Sequence, residues 1–475
     1  MSSDSYDVIV IGGGAVGENV AERAVQGGLT AVVVEAQLVG GECSYWACIP
    51  SKVLLRSGQA LRAAQHVAGA RESVTGSVDA AAVLARRDSF TGDWTDDGQV
   101  QWLEGAGIDL ARGWGRITGD REVTVTGADG TARVLHASHA VAVCTGSDPA
   151  IPPIPGLRDV EPWTSREATS AQAVPDGLAI IGGGVVAVEM ATAYASLGTR
   201  VTVIARSELL GRFEPFAGDL VTQSLRDAGV DVRTHTATTR VSRDGESVTV
   251  ETDAGPVTVT EVLVATGRTP RGADVGLETV GLTSGEWIPV DDTMRVPGLD
   301  WLYAVGDVNG RAFLTHQGKY QARIAGDAIV ARAQGSPIDD TPWGRHVATA
   351  DHTAVPQVVF GEPDVATVGL TEKAAEEAGY DVTVVDYEIG EVAGATVRED
   401  GYRGRARMVI DAPRQVILGV TFVGPDVADL IQAATMTIVG ELTIAQLWHA
   451  VPVYPTVSEI WLRLLEKARF IQGAA

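Results

Sequence analysis

Two stretches of the chain share one pattern, in which a short apolar run, a glycine turn, a helical segment and a second apolar run follow each other. They are DVIVIGGGAVGENVAERAVQGGLTAVVVE at 7–35 and LAIIGGGVVAVEMATAYASLGTRVTVIAR at 178–206. Short apolar runs bounded by glycines predict buried strands, and the longer segment between them predicts a crossover helix. The pattern therefore predicts two βαβ units and an α/β protein built on parallel sheets.

The C-terminal part of the chain has a different pattern. The runs PQVVFGEPDV and ARMVIDAPRQVILGVTFVG join apolar strands through polar turns, which predicts antiparallel strands, and helices follow them. At 475 residues the chain is also longer than one hydrophobic core usually organises. We predict four segments: the first part of a dinucleotide-binding domain at 1–155, a second dinucleotide-binding domain at 156–280, a return to the first domain at 281–348, and an α+β domain at 349–475.

Charge and targeting signals limit the partners. The formal net charge of −24 repels nucleic-acid phosphates and anionic lipids, so we expect neither nucleic acid nor a membrane as a partner. The longest apolar stretch begins at Leu178, but its glycines and Glu189 favour a strand, turn and helix over a membrane span. The N-terminus lacks the pattern of a secretory signal, so we expect a cytoplasmic protein.

The first glycine turn has the G-x-G-x-x-G spacing at Gly12, Gly14 and Gly17, between an apolar strand and a helix. In this context the glycines permit a tight turn, close approach of a pyrophosphate and close packing of helix on strand. Glu35, at the end of the second strand, can accept hydrogen bonds from an adenosine ribose. The alternative is an ordinary turn between a strand and a helix.

The second turn carries Gly182 and Gly184, has Ala187 in the third position, and leads to Arg206 instead of an acid. A carboxylate there would repel a ribose 2′-phosphate, whereas Arg206 and the nearby Arg212 could bind it. The pattern therefore favours NADPH over NADH, unless both arginines are solvated surface residues. Two such folds on one chain imply a flavin in one and a nicotinamide in the other, because hydride transfer needs a donor and an acceptor.

The stretch GGECSYWACIPSK at 40–52 holds Cys43 and Cys48, two of the three cysteines. No further ligands at zinc-like spacing lie nearby, so we predict no metal site. A structural disulfide is disfavoured in a cytosolic chain and would close only a short loop. A redox-active pair at the start of a helix remains, whereas Cys144 in an apolar run reads as a small buried residue.

The same stretch resembles the active-site motif GG-x-C-x(4)-C-x-P-[ST]-K of the class I flavoprotein disulfide reductases, which include dihydrolipoamide dehydrogenase, glutathione reductase and mercuric reductase. The resemblance covers essentially the whole chain, since it extends to both glycine turns and to VAVCTGSDP, VLVATGRTP, YAVGDV and PQVVFGEPDVATVGLTE. It implies two Rossmann-like domains, for FAD and NAD(P)H, and a C-terminal α+β dimerisation domain. It also implies a homodimer in which one subunit's terminal motif completes the other's active site.

The resemblance implies a role for each matching residue. Cys48 would face the flavin as a thiolate, and Cys43 would exchange electrons with the acceptor. Lys52 would lie near flavin N5, paired with Glu189. The remaining matches would bind FAD (Gly12, Gly14, Gly17, Glu35, Gly41, Lys52, Thr145, Gly146 and Asp307) or NADPH (Gly182, Gly184, Ala187, Arg206, Arg212 and Gly267). The alternatives are that Lys52 and Glu189 are exposed helix residues and that Asp307 is a turn residue.

The chain departs from the family pattern near its end. Members usually carry H-x-H-P-T-x-x-E, whose second His is the acid-base group, but this chain has VPVYPTVSE. Tyr454 stands where that His belongs, and Glu459 keeps its place. A phenol is a poor proton acceptor at neutral pH, which puts efficient lipoamide or glutathione turnover in doubt. Tyr454 as a packed interface aromatic is the alternative.

Two further differences bear on the electron acceptor. Mercuric reductase also has Tyr at this position but uses a C-terminal cysteine pair, and no cysteine follows Cys144 here, so we do not expect full mercuric reductase function. Tyr45 and Trp46, between the cysteines, could stack a flat acceptor, block a large dithiol or pack under the flavin. The leading hypothesis is NADPH-dependent reduction of a small disulfide or related acceptor. A quinone or dye reductase, and a redox-silent assembly component, are the alternatives.

Overall fold

The computed structural model describes residues 4–473, and its strands follow the glycine and apolar pattern closely. In chain order the strands are β1 Ser5–Ile11, β2 Ala31–Glu35, β3 Asp109–Arg112, β4 Trp114–Gly119, β5 Glu122–Thr126, β6 Ala132–Val143, β7 Ser147–Pro149, β8 Gly177–Ile181, β9 Arg200–Ile204, β10 Asp231–Arg233, β11 Thr238–Asp244, β12 Ser247–Thr252, β13 Val257–Val259, β14 Glu261–Val264, β15 Arg268–Pro270, β16 Leu302–Ala304, β17 Gln357–Val359, β18 Asp364–Gly369, β19 Val382–Glu388, β20 Arg405–Asp411 and β21 Val416–Gly424.

The helices connect these strands or cover their sheets. In chain order they are α1 Ala15–Gln26, α2 Gly41–Tyr45, α3 Cys48–Gln65, α4 Ala80–Phe90, α5 Asp97–Gly105, α6 Ser165–Ser170, α7 Val185–Ser196, α8 Pro215–Asp227, α9 Thr315–Ala333, α10 Ala350–Thr353, α11 Glu372–Glu377, α12 Ala393–Arg398, α13 Ile431–Val439, α14 Ile444–Leu447 and α15 Ile460–Gly473. Within residues 4–473, no helix is both long enough and apolar enough to cross a membrane.

The chain divides into two compact units. The first unit contains the residues up to Pro50, Asp88–Ala150 and Gly267–His352. The second unit contains Ser51–Arg87, Ile151–Thr266 and the residues from Thr353 onward.

The first unit is built on a seven-stranded sheet. Strands β3, β2, β1 and β6 run parallel in that order, and β16 adds a further parallel strand beside β6. Strand β5 pairs antiparallel with the N-terminal half of the long strand β6, and β4 pairs antiparallel with β5. Its core is made of the almost fully buried apolar residues of β1, β2 and β6, so the strands read as continuous apolar runs, as expected for parallel strands covered on both faces. The carboxyl ends of β1 and β6 bring together the turns that follow them, which is where open α/β sheets bind ligands.

The second unit contains three sheets. Strands β10, β9, β8 and β14 form a parallel sheet in that order, with the second glycine turn after β8. Strands β11, β12 and β13 form a small antiparallel sheet. Strands β17, β18, β21, β20 and β19 form the antiparallel sheet that the C-terminal pattern predicts. The α/β fold class with an α+β C-terminal part is therefore confirmed, while the boundaries of the four predicted segments stay a prediction.

Candidate active site and cofactor sites

The first glycine turn leaves no room for side chains. Gly12 has φ +106°, and a Cβ added to it would lie 2.5 Å from the Cys144 carbonyl oxygen. A Cβ on Gly17 would lie 1.9 Å from the Gly12 carbonyl oxygen, so α1 packs directly on the turn. Glu35 accepts a hydrogen bond from the Gly13 N–H at 2.7 Å. The first glycine turn and the N-terminus of α1 thus form a cradle that fits a pyrophosphate. The close packing of α1 on this turn supports the predicted FAD site.

The segment that carries Cys43 and Cys48 is hydrogen-bonded to this same turn. The Gly40 N–H donates to the Gly13 carbonyl at 2.7 Å, and Gly14 and Gly40 form an isolated parallel bridge. Gly41 then begins the short helix α2, which carries Cys43. The backbone therefore holds the thiols beside the first dinucleotide cradle.

The two thiols are in contact with each other. Cys43 and Cys48 hydrogen-bond through their side chains, and this bond together with burial raises the pKa of Cys43 well above its usual range. The Cys48 sulfur lies 3.2 Å from Thr315 Oγ1, at the start of α9. Cys48 is also the first residue of the 18-residue helix α3, whose N-terminus favours a negative charge. The geometry keeps a proton on Cys43 and favours a thiolate on Cys48.

The bulky residues between the cysteines differ in exposure. Tyr45 is only 3% exposed, and its hydroxyl donates to the Thr95 carbonyl at 3.2 Å. Trp46 is half-buried, with its ring centroid 5.6 Å from that of Tyr45. Tyr45 thus packs inside the first unit, and Trp46 is the more accessible ring. Cys144 is buried, in agreement with its prediction as a small core residue.

Lys52 and Glu189 form an ion pair in the second unit. Lys52 Nζ donates to Glu189 Oε2 at 2.8 Å and lies 4.9 Å from the centroid of the Phe360 ring. The other carboxylate oxygen of Glu189 accepts the Phe360 N–H at 3.1 Å. Glu189 is 4% exposed, whereas the Lys52 side chain is 37% exposed. The buried carboxylate therefore holds the Lys52 ammonium in place, and part of the ammonium remains accessible to another group.

Asp307 lies in a polar cluster of the first unit. Its carboxylate accepts the Ser147 hydroxyl at 2.5 Å, and Arg268 Nε donates to that hydroxyl at 2.8 Å. Burial raises the pKa of Asp307. A half-buried carboxylate with one hydroxyl partner has capacity for another donor, which fits a sugar-alcohol chain such as the ribityl of FAD.

Two residues after β6 join this cluster. Thr145 Oγ1 donates to the Arg271 carbonyl at 2.5 Å, and the Arg271 N–H donates to the Gly146 carbonyl at 3.2 Å. The Arg271 side chain donates to Glu42 at 3.1 Å and to Asp148 at 2.7 Å. Arg271 therefore links the segment after β6 to the helix that carries Cys43.

The second glycine turn repeats the first. A Cβ on Gly182 would lie 2.2 Å from the Ala265 carbonyl oxygen, and Gly184 caps α7 with open space beside it. Ala187 is fully buried on α7. Gly267, which the resemblance assigns to the same cofactor, belongs to the first unit, where its carbonyl accepts the Ala150 N–H at 2.9 Å.

Arg206 and Arg212 follow β9 and are both exposed. Among the residues that the structure describes, neither guanidinium forms a hydrogen bond or ion pair. His235 and Glu208 form a 2.5 Å contact in the same region. Two uncommitted guanidinium groups at the end of this strand are free to bind an anion.

The C-terminal motif is partly exposed and partly buried. Tyr454 is 71% exposed, within an apolar run whose Val451 and Val453 are 83% and 71% exposed. Glu459 is 4% exposed and accepts Arg463 Nη2 at 3.0 Å. Over residues 4–473, its other oxygen, Oε2, is buried and has no hydrogen-bond partner. Glu459, the acid of the family motif, is thus present with one of its two carboxylate oxygens hydrogen-bonded, whereas the side chain of Tyr454 is exposed.

Sequence reasoning missed several residues of these clusters. Thr315 contacts Cys48 from 267 positions away, and Phe360 contacts the Lys52–Glu189 pair. Arg271 directly follows the VLVATGRTP motif, and the neighbouring sequence gave no signal of its contacts. Within residues 4–473, no cluster of three or more potential metal ligands is present.

The two dinucleotide turns and the contacting thiols define an oxidoreductase that uses a flavin, a pyridine nucleotide and a dithiol. Comparison with protein families agrees: residues 6–335 match the model of the pyridine nucleotide-disulphide oxidoreductases, and residues 355–464 match the dimerisation domain of the same family. The chain therefore belongs to the pyridine nucleotide-disulphide oxidoreductase family, whose cofactors are FAD and a pyridine nucleotide.

Named relatives span several activities. Mercuric reductase of Shigella flexneri is 33% identical over 96% of this chain and 80% of its own length. Dihydrolipoyl dehydrogenase of Synechocystis is 31% identical over 97% of this chain and 98% of its own length. Among solved structures, the HOCl-induced flavoprotein disulfide reductase RclA from Escherichia coli is 26% identical, with a TM-score of 0.82 over 97% of this chain and 99% of that one. The predicted family, fold class and oxidoreductase activity are confirmed.

Proposed function

We propose that the protein passes electrons from NADPH through FAD to the Cys43–Cys48 pair and on to a small disulfide or related acceptor. The observation that carries the proposal is the placement of both cysteines beside the first glycine turn, with Cys48 at the N-terminus of α3. The bound flavin would accept hydride from NADPH and reduce the Cys43–Cys48 disulfide. We also place the protein in the cytoplasm, where a redox-active dithiol is kept in exchange with its partners.

The chain's own residues would hold the cofactors. The first glycine turn and Glu35 would bind the adenosine diphosphate half of FAD, and Asp307 would bind its sugar-alcohol chain. The ammonium of Lys52, fixed by Glu189, would offset negative charge on the reduced flavin. The second glycine turn would bind the pyrophosphate of the nicotinamide cofactor.

The proposed thiol chemistry depends on which of the two cysteines carries a proton. Cys43 keeps its proton because burial and the bond to Cys48 raise its pKa. The adjacent Cys48 thiolate can accept that proton, so the Cys43 sulfur becomes the attacking thiolate. Attack of the Cys43 thiolate on an acceptor disulfide would form a mixed disulfide and release one thiolate, which takes the proton from Cys48. The Cys48 thiolate would then attack the Cys43 sulfur, re-forming the internal disulfide and releasing the second thiolate, which takes a proton from solvent.

The coenzyme preference would come from Arg206 and Arg212. Both are exposed and uncommitted in the described part of the chain, as a 2′-phosphate site requires. Replacing both by Ala should raise KM for NADPH at least tenfold and leave KM for NADH nearly unchanged. Equal effects on the two coenzymes would contradict the assignment. Arg403→Ala, which removes an exposed arginine elsewhere in the second unit, is the matched control.

We further propose a homodimer in which the run around Tyr454 meets the partner subunit. The match to a dimerisation domain and the exposure of Val451, Val453 and Tyr454 support this arrangement. Apolar side chains exposed to this extent in one run are typical of a surface that another chain covers. Sedimentation of Val451→Asp beside the parent protein tests it, and an unchanged mass would contradict it.

Tyr454 favours a second candidate function, reduction of quinones or dyes. Loss of a positioned acid-base group typically costs about 100-fold or more in rate, and quinone reduction by a flavin or thiolate does not need the His of the family motif. Robust turnover of lipoamide or small disulfides, with negligible quinone activity, would count against this candidate.

An anaerobic titration with NADPH tests both candidates. We expect bound FAD to bleach, and a long-wavelength absorbance from thiolate to flavin to appear in the parent protein but not in Cys48→Ser. A panel of disulfides, quinones and Hg(II) then follows, Hg(II) being included because relatives are named mercuric reductases. Cys43→Ser should lose disulfide turnover while NADPH still reduces its FAD. Cys144→Ser, which removes a buried thiol without an assigned role, is the control. Full turnover of the best acceptor by Cys43→Ser would refute the thiol route.

A further inference from the structure

Gln321 of α9 is a fully buried polar residue that the proposed reaction does not use. Its side-chain oxygen accepts the Gly306 N–H at 2.9 Å and the Asn309 side-chain amide at 2.8 Å. Gly306 directly precedes Asp307, and Asn309 follows it two residues later. Gln321 therefore holds the turn at 306–309 on both sides of Asp307.

The side-chain nitrogen of Gln321 is bound by a second buried group, Asp351. Gln321 Nε2 donates to Asp351 Oδ2 at 2.9 Å, and Gln317 Nε2 donates to Asp351 Oδ1 at 2.6 Å. The Asp351 side chain is 1% exposed, and Arg311 Nη1 lies 3.7 Å from its Oδ2 atom. Burial raises the pKa of Asp351, and the hydrogen bonds from the two glutamines oppose that rise. Because a carboxylate only accepts hydrogen bonds, Asp351 fixes the Gln321 amide with its nitrogen toward Asp351 and its oxygen toward the turn.

The turn at 306–309 also packs tightly against its neighbours. A Cβ on Gly318 of α9 would lie 2.6 Å from Val16 Cγ2 and 3.4 Å from the Gly306 Cα atom. Asn309 Nδ2 makes a further bond to the Ala304 carbonyl at 3.1 Å. The backbone on both sides of Asp307 is thus fixed by buried contacts, whereas the Asp307 carboxylate is half-buried and has capacity for another donor.

We propose that Gln321, oriented by Asp351, is a positioning residue that holds the turn at 306–309 in the arrangement in which Asp307 binds the sugar-alcohol chain of FAD. The inference rests on the proposed function, which assigns that chain to Asp307. Without the Gln321 oxygen, the Gly306 N–H and the Asn309 amide lose a buried acceptor, so the turn also adopts arrangements that give these donors other partners. The apparent affinity for FAD then falls in proportion to the population of the binding arrangement.

Gln321→Met tests this inference, because it keeps an unbranched side chain and removes both hydrogen-bonding atoms. The holoprotein is diluted in steps and free FAD is separated by ultrafiltration, which gives the dissociation constant (Kd) for FAD without any measurement of turnover. We expect the Kd of Gln321→Met to be about fivefold higher than that of the parent or more.

Gln317→Met is the matched control, since Gln317 is a buried glutamine one turn earlier on α9 and its side chain donates to Asp351. Both variants remove a buried hydrogen bond to Asp351, so a general loss of stability would raise the Kd in both. The Kd of Gln317→Met should stay within about twofold of the parent. Gln321→Glu combined with Asp351→Asn reverses the bond between the two residues and keeps an acceptor toward the turn, so its Kd should stay within about threefold of the parent.

A comparison with Asp307→Ala distinguishes positioning from a purely structural role. Asp307→Ala alone should raise the Kd for FAD, and adding Gln321→Met to it should raise the Kd by less than about twofold further, because the two residues act through one contact. Asn309→Ala removes one of the two donors to Gln321 and gives the same comparison with a smaller change if Gln321→Met does not fold.

The outcomes separate this inference from the assignment on which it rests. An unchanged Kd in Gln321→Met would overturn the inference, as would an equal rise in Kd with and without Asp307. If Asp307→Ala raises the Kd in these cases, the assignment of Asp307 to FAD stands and the inference alone is wrong. If Asp307→Ala leaves the Kd unchanged, both the assignment and the inference are wrong.

Discussion

Replacing Glu18 by Gln should change how the stability of the protein depends on pH. Glu18 follows the last glycine of the first turn, on α1, and is 8% exposed. In the part of the chain that the structure describes, its Oε1 atom is buried without a hydrogen-bond partner. Burial raises the pKa of Glu18 from 4.5 to about 7, Lys319 opposes the shift, and the charges of Glu35 and Glu22 add to it.

The sign and size of this change in the free energy of unfolding follow from the linkage between proton binding and folding. Between about pH 4.5 and 7 the folded protein holds a proton on Glu18 that the unfolded chain has lost, so the free energy of unfolding falls as pH rises. The shift of roughly 2.5 pKa units corresponds to about 3 kcal/mol, of which about 2.5 kcal/mol is lost between pH 5 and 8. Glu18→Gln removes this loss, because the amide does not ionise.

Urea denaturation with saturating FAD, followed by circular dichroism at several pH values, measures the effect. The comparison uses the first transition, since a chain of two compact units need not unfold in one step. The stability of Glu18→Gln relative to the parent should rise by about 2 to 3 kcal/mol from pH 5 to 8. Glu22→Gln, one turn further along α1, is the control, and the pH dependence of its stability should follow that of the parent protein. If both variants track the parent at every pH, the reasoning about burial is wrong.

Three further predictions concern other parts of the molecule. Tyr454→His, which restores the acid-base pair with the buried Glu459, should raise disulfide turnover about tenfold or more in a steady-state assay, and unchanged turnover would show that proton transfer is not limiting. Gly17→Ala should yield protein that loses its FAD absorbance on purification, because the added Cβ meets the Gly12 carbonyl. Arg407→Met should lower the free energy of unfolding by about 3 kcal/mol in urea titrations, because it removes the cation that pairs with the buried Glu214 and the half-buried Asp386.

Local sequence was enough to predict the elements that carry the chemistry. The glycine turns after β1 and β8, and the helix that begins at Cys48, follow from apolar runs and residue spacing. These signals lie in neighbouring residues, where backbone conformation and periodicity act directly. The pairing of Lys52 with Glu189 was reachable only through the family resemblance, since 137 positions separate the two residues.

The tertiary structure alone decided which side chains are withdrawn from water. Tyr45 was open to several interpretations and is buried, while Thr315 gave no signal and contacts Cys48.

Glu18 and Asp364 look like ordinary surface acids in the sequence, yet each is buried with an unpaired oxygen among the described residues. Sequence therefore determined the glycine turns, the thiol pair and the family of the protein. Folding decided the protonation of its buried groups, because desolvation and charge coupling depend on residues that are distant in the chain and meet only in space.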